Sequence, residues 1–178
     1  MKLHSRRAFL QSLAIAVPAF AVSRPAFAAA PGPRALQFFH THTSERLVVE
    51  YYDGQAYLDG ALTEVNRFLR DFRTGESHTI DPTLLDLLHG LGRVTGTSRP
   101  FEVISGYRSP VTNAMLRRRS EGVAAGSLHM QGMAIDVRLP DVRLDRLRDA
   151  ALTARVGGVG YYPASQFVHV DTGRVRAW

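Results

Sequence analysis

Two histidine–carboxylate groups stand out among the seven histidines of this 178-residue chain. His129 opens the run His129-Met130-Gln131-Gly132-Met133-Ala134-Ile135-Asp136, and His169 lies in Phe167-Val168-His169-Val170-Asp171. Read as a strand, the second run alternates its side chains, so Phe167, His169 and Asp171 share one face while Val168 and Val170 take the other. Polar groups in so apolar a strand must be paired or must bind something. Asp136 poses the same problem among Met133, Ala134, Ile135 and Val137, where an unpaired carboxylate is costly. Gly132 lets the backbone turn back after His129, so His129 and Asp136 could converge. Two imidazoles and one carboxylate are a catalytic zinc ligand set with a fourth position left for water. The chain has no cysteine, so no thiolate can join them. The spacing from His129 to Asp136 is not specific by itself. A histidine on a strand is ordinarily a packed or surface residue, so on residues alone the metal reading and a structural one both stand.

The rest of the chain supplies elements that can hold these groups. Leu36–Thr43 and Arg46–Tyr52 are β-rich and suggest a hairpin, with Asp53-Gly54 as a turn signal after them. Ala61–Phe72 spaces Leu62, Val65, Phe68, Leu69 and Phe72 as a helix. Asp81-Pro82 is a cap followed by an N1 proline, ahead of Leu84, Leu85, Leu87 and Leu88. Phe101–Ser105 reads as a short strand ending at Gly106, Pro110–Arg119 as a helix, and Ser120–Gly126 as a small-residue loop. Gly132–Leu139 alternates like a strand and Val142–Ala154 like a helix, which Gly157-Gly158 breaks. Val159–Tyr162 and Phe167–Val170 read as the last two strands. The expectation is one α+β domain with a small, mostly antiparallel sheet flanked by helices.

Hydrophobic residues make up 45% of the chain and charged residues 21%, as in a globular domain rather than a disordered one. The net charge of +6 invites a nucleic-acid reading, but four of those charges (Lys2, Arg6, Arg7 and Arg24) fall in residues 1–28 with no acid among them. The remaining residues carry 18 Arg against 16 Asp and Glu, too small an excess for a duplex-binding face. Residues 1–28 read instead as an export signal: a basic start, the apolar run Leu13–Val22, and the small-x-small site Ala26-Phe27-Ala28. Ser5-Arg6-Arg7-Ala8-Phe9-Leu10 resembles a twin-arginine signal, with Gln11 where lysine is frequent. An uncleaved membrane anchor is the competing reading of this segment; removal of the signal would leave no stable membrane insertion. Residues 29–35 read as a flexible leader and 36–178 as the domain. His40 and His42, two apart on a strand, fit a structural role or a second metal site. His78 and His89 read as ordinary loop and helix residues. Arg117-Arg118-Arg119 reads as a solvated helix end or a contact to anionic wall polymer, and Tyr161 and Tyr162 as strand packing or a cleft wall.

The pattern Ser127-x-His129-x-x-Gly132-x-Ala134-x-Asp136, with a distal His169, resembles the zinc peptidases of the D-Ala-D-Ala carboxypeptidase and dipeptidase superfamily. That superfamily includes phage endolysins and murein endopeptidases and shares its fold with the hedgehog signalling domain. The sequence is most similar to its periplasmic, murein endopeptidase K-like branch, once a domain of unknown function. The likeness covers nearly all of residues 36–178. Besides the histidine segments it rests on His42-Thr43, Phe68-Leu69-Arg70-Asp71, Asp81-Pro82-x-Leu84-Leu85-Asp86, Ile104-Ser105-Gly106-Tyr107-Arg108-Ser109 and Gly157-Gly158-Val159-Gly160-Tyr161-Tyr162.

The resemblance implies a hedgehog-like α+β fold, Zn2+ held by His129, Asp136 and His169, and peptidoglycan as the substrate of a periplasmic endopeptidase. It implies that Arg108 holds substrate or opposes charge on the carbonyl oxygen, and that Ser127 contacts the substrate peptide. Many members carry the acid that takes the proton three residues before the last ligand. Gln166 stands there and cannot. Asp171, on the same strand face as His169, is the expected substitute, with orientation of His169 as its alternative role. A carboxypeptidase that trims stem peptides and a non-catalytic wall-binding module are the competing functions.

Overall fold

The computed structural model describes residues 32–119 and 122–178, so the expected signal at 1–28 and the leader up to residue 31 lie outside it. Seven strands form one sheet: β1 (Arg34–His40), β2 (Arg46–Tyr52), β3 (Phe101–Ser105), β4 (Ala134–Arg138), β5 (Gly158–Tyr162), β6 (Phe167–Asp171) and β7 (Arg176–Ala177), in the order β2-β1-β3-β4-β6-β5-β7. The β1–β3 and β5–β7 pairs are parallel and the other four are antiparallel. The four helices of the described residues are α1 (Asp59–Phe68), α2 (Pro82–Thr95), α3 (Pro110–Arg119) and α4 (Leu144–Ala154). The fold is the expected α+β domain with a mostly antiparallel sheet.

α2 begins as its sequence demands. The Asp81 carboxylate accepts from the Thr83 amide at 2.9 Å, Pro82 occupies the first turn, and Gly96 closes the helix at φ 69°. α2 lies against α4 and β1, and α4 lies against β5 and β6. One buried cluster runs from Leu36, Phe38 and Phe101 through Leu84, Leu88 and Leu91 to Val137, Leu147, Val168 and Val170. Full burial of each such side chain is worth about 1.5–3 kcal/mol, so this face of the sheet supplies stability and leaves the other free for polar chemistry.

Among the differences from expectation, three have a visible physical reason. β1 starts at Arg34, inside the segment read as flexible leader, because the Arg34 guanidinium is buried and pairs with Asp86 at 2.6 Å. α1 stops at Phe68 rather than Phe72. The Leu69 carbonyl accepts from the Tyr107 amide at 2.7 Å and the Asp71 carboxylate accepts from Ser109, so this stretch is spent on holding the loop after β3. Gly106 permits that approach: a Cβ there would sit 2.6 Å from the Leu69 oxygen. Third, the chain ends in a further strand, β7, whose two residues carry too little pattern to be read from sequence. No helix among the described residues is long and apolar enough to cross a membrane.

Candidate active site

Strand register brings the first two groups together. β4 and β6 pair antiparallel with Asp136 directly opposite His169, both on the face away from the α2–α4 core. His129 arrives from a 3₁₀ turn, Leu128–Gln131, that ends at Gly132 with φ 67°. A side chain at Gly132 would be strained by that φ and would place its Cβ 2.0 Å from the Thr79 oxygen, so glycine is required both for the turn and for the close approach. The chain then enters β4, and His129 and Asp136 converge as the spacing suggested.

The ring nitrogens are assigned by their outer partners. His129 Nδ1 lies 2.7 Å from the Gly106 carbonyl oxygen, which can only accept, so Nδ1 carries the proton and Nε2 a lone pair. His169 Nε2 lies 3.1 Å from Asp171 Oδ2 and donates to it, so in the neutral ring the lone pair is on Nδ1. These two nitrogens are 3.2 Å apart, and Asp136 Oδ1 lies 3.3 Å from the first and 2.8 Å from the second. With His169 neutral, three acceptor atoms converge in a buried place, an arrangement that repels itself unless a proton or a cation sits among them. A tetrahedral zinc ion with bonds near 2.0–2.2 Å sets its ligand atoms about 3.3 Å apart, and two nitrogens with one carboxylate oxygen leave a coordination position open. Donor set and spacing fit that ion; among the described residues this is the group of acidic and histidine side chains placed to hold a metal.

Asp136 stays ionised. Burial works against its charge, but His129 and His169 beside it hold its pKa well below the usual carboxylate range. Burial would likewise pull His169 down, but hydrogen bonds to Asp136 and Asp171 outweigh it and raise the ring to about 9. In metal-free protein that raised value has a measurable consequence. A proton kept by folded His169 at pH values where the unfolded residue has lost it stabilises the fold. The contribution is complete below about pH 6.5, the unfolded value, and disappears as pH rises through about 9. Chelator-treated protein is therefore expected to lose on the order of 3 kcal/mol of unfolding free energy between pH 6.5 and 9. Denaturant titrations across that range check it; a flat profile overturns the assignment of the proton.

The ligand atoms open into a cavity of about 650 Å3 lined also by His42, Arg73, Arg108, Ser127, Tyr162, Arg176 and Trp178. Arg108 follows β3, and its amide donates to the His129 carbonyl. Its Nη2 lies 3.7 Å from Asp136 Oδ2 and its Nη1 3.4 Å from Asn113 Oδ1, while the buried Nε has no protein partner. A largely buried guanidinium with an unused donor beside the ligands is suited to an acceptor oxygen on a bound molecule. Ser127, nearly buried, stands at the start of the 3₁₀ turn on the same wall.

Asp171, expected as the proton acceptor, does not line the cavity. It is fully buried and sits behind His169, on the ring edge opposite the ligand nitrogen. Its two oxygens accept from the Gly158 amide (2.8 Å), the Gly173 amide (2.9 Å), His169 and both terminal nitrogens of Arg176 (2.7 and 3.2 Å). Burial opposes its ionisation, but these donors hold its pKa far below the usual range. No oxygen is left to receive a proton from the cavity, which Asp171 does not line. Gln166 does not face the cavity either: it sits at φ 57° in the β5–β6 turn and donates to the Pro163 carbonyl.

The sequence gives no site role to Asp71 or Trp178, and it reads His42 only as structural or a second-metal residue. Asp71, its pKa set near 2 by hydrogen bonds from Thr112 and Ser109 that outweigh burial, fastens the loop that carries Arg108. Trp178 lays its ring 5.2 Å from that of His169 and donates to the Tyr162 hydroxyl. His42 turns its ring to the cavity wall, whereas His40 is buried with its Nδ1 accepting from the His42 amide. Arg117, Arg118 and Arg119 are exposed at the end of α3.

Residues 28–178 match the Peptidase_M15_2 family, peptidoglycan L,D-endopeptidase MepK. The chain belongs to this family. It is 44% identical over 176 residues to peptidoglycan L,D-endopeptidase MepK of Escherichia coli (strain K12), covering 98% of this chain and 97% of that protein. It is 41% identical over 170 residues to the probable peptidoglycan L,D-endopeptidase MepK of Haemophilus influenzae (strain ATCC 51907 / DSM 11121 / KW20 / Rd), covering 95% and 91%. Membership accounts for the resemblance carried by Ser127, His129, Gly132, Asp136 and His169, and extends it over the whole described domain.

Proposed function

We propose that this chain is an exported zinc peptidase that hydrolyses L,D amide cross-links of peptidoglycan. The observation that carries the reading is the convergence of His129 Nε2, Asp136 Oδ1 and His169 Nδ1 on one wall of an open cavity, in a member of a family whose relatives are named for this activity. Zinc in that position supplies Lewis acidity and brings the pKa of water to about 7. The protein's own groups do the rest. Arg108 opposes negative charge on the carbonyl oxygen, Ser127 holds the peptide, and Asp171 fixes the tautomer and orientation of His169 from behind.

The decisive experiment is incubation of purified protein with sacculi and with defined L,D-linked and D,D-linked muropeptide dimers, with and without chelator. Release of monomers from the L,D-linked dimer alone, abolished by chelator and restored by zinc, is the expected outcome. Trimming of soluble stem peptides without cleavage of dimers would make the protein a carboxypeptidase; retention on sacculi without products would make it a binding module.

We place its site of action in the periplasm, reached by the twin-arginine route that Arg6 and Arg7 suggest. Arg6→Lys with Arg7→Lys keeps the charge but removes guanidinium geometry. That double variant is expected to remain with its signal attached inside the cell. Its normal appearance in the periplasm of a strain lacking the twin-arginine translocase would show another route.

A further inference from the structure

We propose that His42 is the catalytic proton carrier of this hydrolysis, taking a proton from the attacking water and delivering it to the leaving amine. The inference rests on the peptidase reading above and names a residue for the role that Gln166 and Asp171 cannot fill. The cavity wall leaves few candidates. His129, Asp136 and His169 use their lone pairs on one another's common centre. Arg73, Arg108 and Arg176 carry no acceptor. The Tyr162 hydroxyl already accepts from the Trp178 indole at 2.7 Å. His42 is the remaining imidazole on that wall, and imidazole is the side chain that exchanges protons near neutral pH.

Its position is built rather than incidental. β1 runs parallel to β3 with His40 opposite Val103, and just beyond β1 the Thr41 amide and hydroxyl both donate to the Val103 carbonyl. The chain thus carries His42 along β3 toward Ser105, which pairs with Asp136 on β4. His42 thereby lines the same cavity of about 650 Å3 as His129, Asp136 and His169, which leaves space between the ring and the ligand atoms for a bound peptide. The ring stacks on Phe72 at 4.2 Å and 11°, and its amide is tied to His40 Nδ1 at 3.2 Å. The groups that face it are Arg73, whose guanidinium lies over the same Phe72 ring, His40 from β1, and the Ile104 carbonyl from β3. Burial and Arg73 lower its pKa and the Ile104 carbonyl opposes them, so the neutral, proton-accepting form prevails at neutral pH. The step balances: the water oxygen bonds to the carbonyl carbon as one water proton moves to His42, the C–N bond breaks, and that proton passes to nitrogen. The products are one amine and one carboxylic acid, which ionises.

The test compares the zinc-loaded unaltered chain with His42→Gln and His42→Ala on an L,D-linked muropeptide dimer. The expected result for both variants is a kcat about 10²–10⁴-fold lower, KM within about threefold, unchanged zinc content, and loss of the acidic limb of the pH profile. Added imidazole is expected to restore part of the rate to His42→Ala, which has space for it. In 15N-histidine-labelled unaltered chain, the His42 ring resonances are expected to titrate below the ordinary histidine range and to shift when the monomer product is added. A His42→Gln rate within tenfold of the unaltered one, a rise in KM with kcat intact, or loss of zinc would each overturn the assignment. If the unaltered zinc-loaded chain cuts no dimer, the peptidase reading falls and takes this one with it. An active unaltered chain beside an active His42→Gln variant overturns this assignment alone.

Discussion

Replacing His169 or Asp136 with alanine is expected to yield protein that binds no zinc at stoichiometric metal and shows no measurable turnover. Three acceptor atoms converge on the site. Each supplies one lone pair, and the separations of 2.8, 3.2 and 3.3 Å leave no alternative donor among them to substitute for a lost ligand. Zinc takes water from a pKa of about 15.7 to about 7, so loss of the ion is expected to lower the rate at least about 10³-fold. A second readout is independent of catalysis. An ion that binds only the folded state at 100 times its dissociation constant stabilises it by about 2.7 kcal/mol, so the unfolding temperature of the unaltered chain should climb with free zinc. In the two variants it should not. Full zinc occupancy in both variants, measured by metal analysis, would falsify the ligand assignment whatever the turnover.

How far this site could be read from residues depended on what kind of information each role needs. Gly132 and strand alternation point His129 back toward Asp136, because face and turn are local properties of a short run, and the structure gathers these two with His169. Family resemblance added Arg108 and Ser127. The role of Asp171 was not readable in that way. Alternation says that His169 and Asp171 share a face, but not which ring nitrogen meets the carboxylate, and that choice separates a proton acceptor from an orienting group. Arg176, which occupies both oxygens of Asp171, comes from a two-residue strand with no periodicity to announce it. His42 was obscured by its neighbour: His40 and His42 look alike in sequence, yet one is buried against Phe68 and Phe72 while the other reaches the cavity. The end of α1 was misread for a related reason. Leu69 and Phe72 continue a helical spacing, and only the distant Ser109 and Tyr107 show that the backbone there serves another segment.

The second large effect concerns Asp171→Asn, for which the structure and the strand pattern predict opposite results. Were Asp171 the proton acceptor, asparagine would leave zinc affinity untouched and abolish the rate at every zinc concentration. The contacts dictate otherwise. Asp171 Oδ2 receives the His169 Nε2 proton on the side of the ring away from the ligand nitrogen, and its oxygens take two backbone amides and the Arg176 guanidinium besides. Asparagine removes the charge that makes His169 a better ligand, and its amide nitrogen meets donors where an acceptor is needed. Zinc affinity is therefore expected to fall about 10–100-fold, with the rate returning to within about threefold of the unaltered chain once zinc saturates the site. Stability is expected to fall too, toward the lower end of about 3–5 kcal/mol for a broken buried pair, since Arg176 is itself about one-third exposed and regains water. The same carboxylate gives the unaltered protein an acid sensitivity that the variant lacks. Its pKa is depressed in the fold, so its stabilisation is present above about pH 4, the unfolded value, and is lost as pH falls below it. The discriminating measurement is kcat as a function of zinc: a curve that plateaus near the unaltered rate at higher metal assigns Asp171 to orientation of His169, and a plateau still 10²-fold low returns it to the proton path.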